Sequence, residues 1–363
     1  MIYREYGKTG VKVSLLGFGG MRFSEIDTHE ACAAMMVKAA RGGVTYFDTA
    51  PDYFGIKSEQ VFGLGFKELR RLGLPYVVAT KTFKTTEKDI RAELDSQLKR
   101  LGVSAIDFYH VWCILSPANW ETRKKDGILE TFAKLKEEGL IKHICVSSHL
   151  IQEDIEDFLS STPFEGVLFG YSAYNYKTRQ RAFTAIRKKN LGAVVMNPLG
   201  GGIIPQHPEL FGFVKRTPEQ PAVEAALHFL WDHRDITTTL VGFSREPEVD
   251  EALEAINTYR PRTEGELAAV MARAEGSMEG LCTGCAYCDD CPQGIPIPKF
   301  MDAYNQKMLA PEKGDEVLKT RMFMHWGVSR KVAAKCVACK QCENACTQHL
   351  PIIERLKEIS KIA

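Results

Sequence analysis

Short apolar runs alternate with amphipathic helical patterns through the first two-thirds of the chain, repeating at about 30-residue intervals. The apolar runs predict strands at 45–49, 76–81, 107–112, 143–148, 166–172, 193–197 and 237–242, with a first strand near 15–17. Helical patterns lie near 28–41, 58–71, 86–100, 127–138, 151–160, 177–190, 218–232 and 246–257, and a hairpin over 2–13 precedes them. Eight strands, each followed by a helix, predict a (β/α)8 TIM barrel, an α/β fold with its site at the carboxyl ends of the strands.

A doubly wound sheet is the alternative fold for this pattern. Its dinucleotide fingerprint requires G-x-G-x-x-G at the entrance to a helix. Residues 17–20 read GFGG and have neither the third glycine nor an immediate helix. The barrel is therefore preferred.

The repeating pattern stops after Tyr259, where Arg-Pro-Arg at 260–262 interrupts it. One more helix is predicted near 263–275, ahead of a cysteine-rich segment. A chain of 363 residues with 45% hydrophobic residues is long enough for a barrel and a smaller module. We therefore expect a barrel domain over 1–260, a connecting helix within 261–275 and a mainly helical module over 276–363.

The overall composition excludes several classes of partner. A net charge of +1 gives no electrostatic reason to bind nucleic acid or an anionic membrane. No apolar run reaches the roughly 20 residues that span a bilayer, and the start MIYREYGKTG has no signal-peptide character. These features predict a cytoplasmic protein without a membrane partner. Cys32, Cys113 and Cys145 are expected to be small core residues.

Eight of the eleven cysteines lie in two runs, CTGCAYCDDC at 282–291 and CVACKQCENAC at 336–346. The second run has the C-x2-C-x2-C-x3-C spacing of bacterial ferredoxins. Three thiolates at this spacing can reach three corners of one cubic cluster, whereas a four-thiolate zinc site usually has two C-x2-C pairs separated by a long spacer. The runs predict two [4Fe-4S] clusters in a ferredoxin-like module, with zinc and disulfides as the alternatives.

In two-cluster ferredoxins the fourth cysteine of each run binds the other cluster. That rule assigns Cys282, Cys285, Cys288 and Cys346 to one cluster, and Cys336, Cys339, Cys342 and Cys291 to the other. The chain departs from the pattern twice. Thr347 stands where a proline is usual, and the first run closes with two intervening residues instead of three.

Four polar residues fall at or just after predicted strand ends, where a barrel carries its catalytic groups. They are Asp48, Tyr53, Lys81 and His110. A phenol titrates near pH 10 and gives up its proton at neutral pH only when a nearby cation favours the phenolate. Lys81 could supply that cation and Asp48 could hold it. Tyr53 would then be the general acid toward a carbonyl oxygen that receives hydride at its carbon, with His110 orienting the oxygen.

Several blocks of the chain resemble the aldo-keto reductase superfamily. They are YREYGKTGVKVSLLGFGGMR, YFDTAPDYFGIKSE, VATK, DFYHVW, EEGLIKHICVSS, MNPLGGG and LVGFSREPEVDEAL, in order between residue 1 and about residue 257. The resemblance assigns the family's catalytic tetrad to Asp48, Tyr53, Lys81 and His110. With the two cysteine runs appended, the whole chain resembles the iron-sulfur branch of that superfamily.

The resemblance also implies NADP or NAD as a cofactor. The places that hold nicotinamide in the family fall on Ser147, Ser148, Tyr171 and Met196, of which only a serine matches. The pyrophosphate is expected over Leu199, Gly200, Gly201 and Gly202, and the adenosine end near Gly242, Phe243, Ser244 and Arg245. NADP-preferring members place a lysine and an arginine at positions that fall here on Gly242 and Glu248. Arg245 is then the one evident cation for a 2′-phosphate, and the choice between NADP and NAD stays open.

Two enzymatic hypotheses follow. In the first, the tetrad reduces a small-molecule carbonyl, or oxidises an alcohol, by hydride transfer, and the clusters are structural or regulatory. In the second, the clusters pass single electrons from ferredoxin or flavodoxin to a substrate at the barrel mouth, or to FMN held at the barrel's phosphate site. A third reading treats the barrel as a scaffold for an electron-transfer module. The sequence does not identify the substrate.

Overall fold

The computed structural model describes residues 1–24, 27–273 and 280–362, apart from the side chain of residue 178. The chain divides into two compact units. The first comprises 1–200 and 204–275, and the second comprises 201–203 and 276–363. No helix among the described residues is long and apolar enough to cross a membrane.

The first unit is a closed barrel of eight parallel strands preceded by a hairpin. The hairpin strands are β1 (Tyr3–Glu5) and β2 (Lys12–Ser14), which pair antiparallel. The barrel strands are β3 (Leu16–Gly19), β4 (Tyr46–Asp48), β5 (Val77–Thr82), β6 (Ile106–Ile114), β7 (Ile141–Ser148), β8 (Gly166–Gly170), β9 (Gly192–Met196) and β10 (Thr238–Gly242). Each strand pairs with its neighbour in sequence, and β10 closes the barrel on β3. The predicted (β/α)8 barrel and hairpin are confirmed, and closure excludes the doubly wound sheet.

Helices surround the barrel. They are α1 (His29–Arg41), α2 (Ser58–Leu72), α3 (Glu87–Leu101), α4 (Pro117–Lys125), α5 (Ile128–Glu137), α6 (Gln152–Ser161), α7 (Tyr176–Arg179), α8 (Ala182–Lys189), α9 (Ile203–Gln206), α10 (Ala222–Trp231), α11 (Glu246–Thr258) and α12 (Glu264–Arg273). Two helices, α7 and α8, occupy the region 177–190, where one helix was predicted. The helix predicted near 263–275 corresponds to α12, and positions 274 and 275 lie outside the described residues. The sequence prediction missed α4, α9 and a 3₁₀ segment at Pro208–Val214.

Local sequence explains where helices α1, α2 and α3 begin or end. Thr28 and Thr86 cap α1 and α3, because each hydroxyl accepts a hydrogen bond from a backbone N–H of the first turn. Gly73 and Gly102 follow α2 and α3 in the left-handed conformation, with φ of 66° and 65°. Glycine adopts this conformation without the steric cost of a Cβ atom.

An aromatic layer closes the amino-terminal end of the barrel. Tyr6, from the hairpin loop, inserts between the strands and stacks on Phe108 with ring centroids 4.0 Å apart. A Cβ atom at Gly166 or Gly192 would collide with the Tyr6 ring, so both strands need glycine there. The same buried cluster contains Tyr46, Ala79, Phe108, Cys145, Leu168, Val194 and Leu240. It forms the floor on which the carboxyl-end layer of side chains rests.

The second unit is mainly helical. Its helices are α13 (Ile297–Leu309), α14 (Asp315–Thr320), α15 (Arg330–Ala333), α16 (Gln341–Asn344) and α17 (Ile352–Lys361), with a π-helical turn at Arg321–His325. Phe300, Met301, Met322 and Leu356 belong to its buried core, and six of the eight cysteines of the two runs pack against or within that core.

The two cysteine runs share one backbone conformation, although their sequences differ. In each run the residues directly before and after the second cysteine are left-handed, and so is the third residue after the last cysteine. These positions are Gly284, Ala286 and Gly294 in the first run, and Ala338, Lys340 and His349 in the second. Each run then leads through an apolar-Pro-Ile sequence into a helix, α13 or α17. The second unit is therefore an internal repeat, and the single-residue difference in cysteine spacing does not change it.

Candidate functional site

Strand alternation defines the layer of side chains above the aromatic floor. On each strand, the residue two positions after the one in the buried floor cluster points to the same side, toward the barrel axis. These residues are Asp48, Lys81, His110, Ser147, Gly170, Met196 and Gly242. Strands β4 to β7 thus contribute polar side chains, whereas β8 and β10 contribute glycines. The polar side chains of the layer thus lie on one side of the barrel mouth. On the facing side Met196 projects from β9, and the Arg179 and Arg22 side chains lie against Gly170 and Gly242.

Asp48 and Lys81 form a buried ion pair on adjacent strands. The Lys81 ammonium donates to Asp48 Oδ1 and to the Thr49 carbonyl, each at 2.6 Å. Burial lowers the pKa of Lys81 and raises that of Asp48, and the attraction between the two charges opposes both shifts. Asp48 Oδ2 has no hydrogen-bond partner among the described residues.

Tyr53 follows β4 in a half-buried loop beside this pair. The Lys81 ammonium lies 5.1 Å from the centroid of the Tyr53 ring. The ring also packs edge-on against Trp112, with centroids 5.6 Å apart. Phe54 and Ile56, directly beyond Tyr53, have φ of 53° and 63°. A left-handed non-glycine residue costs about 1–3 kcal/mol, and such strain is found where structure serves a site.

His110 is fully buried on β6, next to Lys81 on β5. Burial, and then the Lys81 charge, lower the pKa of His110 to about 3, so the ring is neutral at physiological pH. Its Nδ1 lies 3.2 Å from the Thr80 carbonyl oxygen. A carbonyl can only accept, so Nδ1 carries the proton and Nε2 is an acceptor. Nε2 has no hydrogen-bond partner among the described residues.

The strand neighbours of these buried residues point the opposite way and are held by the surrounding helices. Thr49, beside Asp48, donates to the Ser58 hydroxyl at 2.7 Å, and Ser58 donates to the Gly20 carbonyl at 2.9 Å. Tyr109, beside His110, donates its phenol proton to Gln97 Oε1 at 2.9 Å. Helices α2 and α3 therefore fix the strands that carry the site.

Glu59 occupies the centre of this outer network. Its carboxylate, 1% exposed, accepts hydrogen bonds from the Thr80 hydroxyl at 2.8 Å and from Gln97 Nε2 at 3.0 Å. Arg100 donates to its other oxygen at 2.8 Å and balances its charge. Gln97 Nε2 also reaches the Lys81 carbonyl at 2.9 Å. Sequence reasoning missed these residues. The available signal was a polar residue on the outward face of each strand, at Thr49, Thr80 and Tyr109.

The four expected nicotinamide positions do not lie together. Alternation places Ser147 and Met196 in the carboxyl-end layer, and Ser148 on the opposite face of β7. Tyr171 follows the last residue of β8, and its ring packs against Phe183 of α8 and Phe229 of α10. Its hydroxyl bonds to His233 Nε2 at 3.1 Å. Tyr171 thus lies in the layer between strand and helices, and Gly170 takes the inward position.

The expected pyrophosphate loop has an unusual backbone. Gly200, Gly201 and Gly202, which follow Leu199, have φ of 64°, 68° and 103°. Three successive left-handed residues are tolerated only by glycine. Gly200 is buried and its N–H donates to the Asn197 carbonyl at 3.0 Å, and a Cβ atom at Gly201 would collide with the Thr283 carbonyl oxygen, so close packing also requires glycine here.

The expected adenosine end combines a cation and a carboxylate. Arg245 is 75% exposed in its side chain and pairs with Glu248 at 3.2 Å. Glu248 also accepts from the backbone N–H of Ser244 at 2.8 Å. A Cβ atom at Gly242 would lie 2.7 Å from Arg22 Cγ, so the Arg22 side chain runs along this strand end. Sequence reasoning missed Arg22, because its proximity depends on barrel closure.

The second unit contains two cavities, each lined by four cysteines. One is lined by Cys282, Cys285, Cys288 and Cys346, and the other by Cys291, Cys336, Cys339 and Cys342. Their volumes are about 320 and 330 Å³, counting space open to solvent. The remaining lining is largely apolar, including Met301 in the first and Leu356 in the second. These are the two sets of four cysteines that the ligand rule of two-cluster ferredoxins assigns. Four cysteines around an apolar cavity fit a [4Fe-4S] cluster.

Comparison with known proteins agrees with both halves of this description. A sequence model of the Aldo/keto reductase family matches residues 15–270. A model of the 4Fe-4S dicluster domain matches residues 281–351. The chain belongs to the aldo/keto reductase family. It is an oxidoreductase of that family with a C-terminal 4Fe-4S dicluster domain.

Individual proteins are also similar to a large part of this chain. L-galactose dehydrogenase of Arabidopsis thaliana is 28% identical over 287 residues, covering 70% of this chain and 87% of that protein. The oxidoreductase YrpG of Bacillus subtilis is 28% identical over 230 residues, covering 56% of this chain and 68% of that protein. The solved aldo-keto reductase AKR11C1 of Bacillus halodurans, in its holo form, is 22% identical and superposes with a TM-score of 0.64 over 76% of this chain and 97% of that one. At that identity the structural likeness supports the fold alone.

Proposed function

We propose that this aldo/keto reductase reduces the carbonyl group of a small molecule, or oxidises the corresponding alcohol, at the carboxyl end of the barrel. The observation that carries the proposal is the position of the Lys81 ammonium, which bonds to Asp48 at 2.6 Å and lies 5.1 Å from the Tyr53 ring. A buried cation beside a phenol stabilises the phenolate that remains after proton donation. This is the arrangement that a general acid for carbonyl reduction requires.

Each of the four residues has a separate role in the proposal. NADH or NADPH, when bound, would supply a hydride to the carbonyl carbon. Tyr53 gives its proton to the carbonyl oxygen, so the alcohol product gains one hydride and one proton. Lys81 stabilises the resulting phenolate, and Asp48 holds Lys81 in its charged form.

The tautomer of His110 restricts its role. Because Nδ1 bonds to the Thr80 carbonyl, the neutral ring presents an acceptor at Nε2. Nε2 can accept a hydrogen bond from the hydroxyl of an alcohol, or from the Tyr53 phenol before proton transfer. His110 can therefore orient the hydroxyl of the alcohol, by accepting its hydrogen bond, but it has no proton for a carbonyl oxygen. The proton delivered to the carbonyl comes from Tyr53.

The expected adenosine end favours NADH. Glu248 stands where NADP-preferring members have an arginine, and its carboxylate pairs with Arg245. A 2′-phosphate beside Arg245 would meet the Glu248 carboxylate, which already neutralises that arginine, whereas the carboxylate can accept a hydrogen bond from a 2′-hydroxyl. We expect NADH to serve at least as well as NADPH.

We also propose that the two cysteine-lined cavities hold two [4Fe-4S] clusters, with the ligand sets Cys282, Cys285, Cys288, Cys346 and Cys336, Cys339, Cys342, Cys291. The proposed domain boundaries are a barrel over 1–260, a connecting helix within 261–275 and an iron-sulfur domain over 276–363. The change between compact units at 275/276 supports the start of the last domain.

A second candidate function follows from the position of Tyr171. Its ring lies outside the barrel mouth, so Ser147 is the one hydroxyl of the expected nicotinamide contacts that faces the mouth. In this candidate the clusters deliver electrons singly from ferredoxin or flavodoxin to a substrate in the barrel, and Tyr53 remains the proton donor.

Anaerobic purification with counts of iron, sulfide and flavin, followed by turnover assays, separates the two candidates. Wild type is expected to oxidise NADH or NADPH with aldehydes or ketones, and Tyr53→Phe is expected to lose at least about 100-fold in kcat/KM, the contribution of a general acid. Turnover that requires reduced ferredoxin, with none from either nicotinamide, would favour the second candidate. Tyr76→Phe is the matched control, because Tyr76 bonds to Arg70 away from the ion pair.

A further inference from the structure

The second cysteine cavity reaches the protein surface along residues 334–341. Cys339 is exposed, whereas the other seven cysteines of the two runs are half-buried or buried. Val337, which also lines this cavity, is 61% exposed. An exposed apolar side chain beside an exposed ligand position gives a short path between solvent and any group held in the cavity.

The segment that forms this edge of the cavity is positively charged. The segment 329–342 carries Arg330, Lys331, Lys335 and Lys340 and contains no carboxylate. The three lysines are exposed, and none of them makes an ion pair within the described part of the chain. By contrast, Lys307 of the same unit pairs with Asp315 at 2.8 Å and with Glu358.

Two carboxylates border the same cavity from the other run. Asp289 and Asp290 are exposed and precede Cys291, which lines the cavity. Glu343, which directly follows Cys342, is a third carboxylate near the cavity; it is half-buried and accepts a hydrogen bond from the Ile353 N–H at 2.9 Å. The four cations of 329–342 outnumber these three carboxylates. The thiolates of a bound cluster would place negative charge in the cavity, which Lys340 lines and which Lys331 and Lys335 precede in the chain. We call these three lysines the rim.

We propose that this face, made of Lys331, Lys335, Val337, Cys339 and Lys340, docks a small acidic protein that carries one electron at a time. An acidic partner is attracted to the rim over about a Debye length and is oriented by it, since its carboxylates meet the lysines and avoid Asp289 and Asp290. Such encounters are weak and use interfaces below about 1,200 Å², which suits a face of this kind. A second copy of this chain would bring cations against cations, so it fits the face poorly.

The exchange is a single-electron step that breaks and forms no bond. The reduced carrier loses one electron, and the cluster proposed at Cys291, Cys336, Cys339 and Cys342 gains it, without a proton. The inference goes beyond the proposed carbonyl chemistry, but it rests on the proposed cluster in this cavity.

The test uses the anaerobic holoprotein and an acidic [2Fe-2S] ferredoxin as the probe. The variant Lys331→Glu/Lys335→Glu/Lys340→Glu reverses the rim. The matched control Lys12→Glu/Lys67→Glu/Lys99→Glu makes the same change of net charge at exposed barrel lysines. The rim variant is expected to bind ferredoxin about tenfold or more weakly by titration calorimetry at low salt, and the difference should shrink at about 0.5 M salt. The barrel control should retain wild-type affinity.

Several readouts decide the inference. Reduction of the clusters by ferredoxin should slow in the rim variant, while photoreduction by a deazaflavin should not change. Equal affinity of the rim variant and wild type, or equal weakening in both triple variants, would overturn the proposal. A wild-type dimer that dissociates in the rim variant would assign the face to self-association instead. Carbonyl reduction with NADH should be unchanged in both variants. Its absence from all forms would count against the proposed function and leave the docking result standing.

Discussion

Replacing Asp48 by asparagine tests the buried ion pair directly. Both side chains are almost completely inaccessible, and the Lys81 ammonium lies 2.6 Å from Asp48 Oδ1. The amide of the asparagine keeps an oxygen for a hydrogen bond but removes the charge. Breaking a buried pair by removing one partner costs about 3–5 kcal/mol, because the remaining charge is uncompensated.

Lys81 can relieve that cost by losing its proton. Burial already lowers the pKa of Lys81, and Asp48 is the main group that raises it, so Asp48→Asn lowers it further. Activity needs the protonated ammonium and falls as the pH rises through the pKa of Lys81. The alkaline limb of the pH profile of kcat should therefore move to lower pH, and kcat/KM at neutral pH should fall by about 100-fold or more.

Denaturant unfolding at neutral pH and the pH profile of kcat measure the two consequences. The double variant Asp48→Asn/Lys81→Met removes both charges, so it should recover part of the stability but none of the activity. A stability loss below about 1 kcal/mol in Asp48→Asn, together with an unmoved alkaline limb, would refute the reasoning.

Three further predictions concern other residues. Because the pKa of His110 falls from 6.5 to about 3 on folding, only the unfolded chain binds a proton at this ring between these pH values, and the free energy of unfolding falls as the pH falls through them. In urea unfolding, His110→Gln should weaken this pH dependence of stability by up to about 1.4 kcal/mol per pH unit. An unchanged pH dependence would contradict the prediction. Thr80→Val removes a hydrogen bond to the Glu59 carboxylate, so it should lower the free energy of unfolding by about 1.5–3 kcal/mol and also lower kcat. Thr80→Ser keeps the hydroxyl and should retain both. A loss of stability without a loss of kcat would show that the Glu59 network has only a structural role. Glu248→Arg should lower the KM for NADPH relative to that for NADH by about tenfold, and an unchanged ratio would remove Glu248 from cofactor choice.

The strands, and the meeting of Asp48, Lys81 and His110 at their carboxyl ends, could be predicted because the signals are local. Each barrel strand is a short apolar run, and Asp48, Lys81 and His110 lie at or near strand ends that a parallel barrel must bring together. The helix α4 was missed because PANWETRKK carries no apolar stripe, and only Trp120 and Arg123 are buried. The pattern at 177–190 divides in two between Arg179 and Ala182, which sequence periodicity does not reveal.

Other features depend on tertiary contacts and could not be predicted. Glu59 reads as an ordinary acidic residue in the first turn of α2, yet it is buried by Thr80, Gln97 and Arg100 from other elements. Tyr171 was expected among the nicotinamide contacts, but β8 ends one residue earlier at Gly170, and the Tyr171 ring enters the helix layer. The likeness of the two cysteine runs is visible in their left-handed backbone positions, which Ala286, Ala338 and Lys340 do not reveal by residue type.

The central claim is that hydride reaches the carbonyl carbon and that Tyr53 supplies the proton. It is tested most directly by turnover of the anaerobic holoprotein with NADH or NADPH deuterated at the transferring position of nicotinamide C4, with mass analysis of the alcohol. The account predicts one deuterium on the carbinol carbon of the wild-type product, and loss of product in Tyr53→Phe with its iron content intact. A carbinol hydrogen that comes from solvent, formed only when a one-electron donor is present, would contradict it.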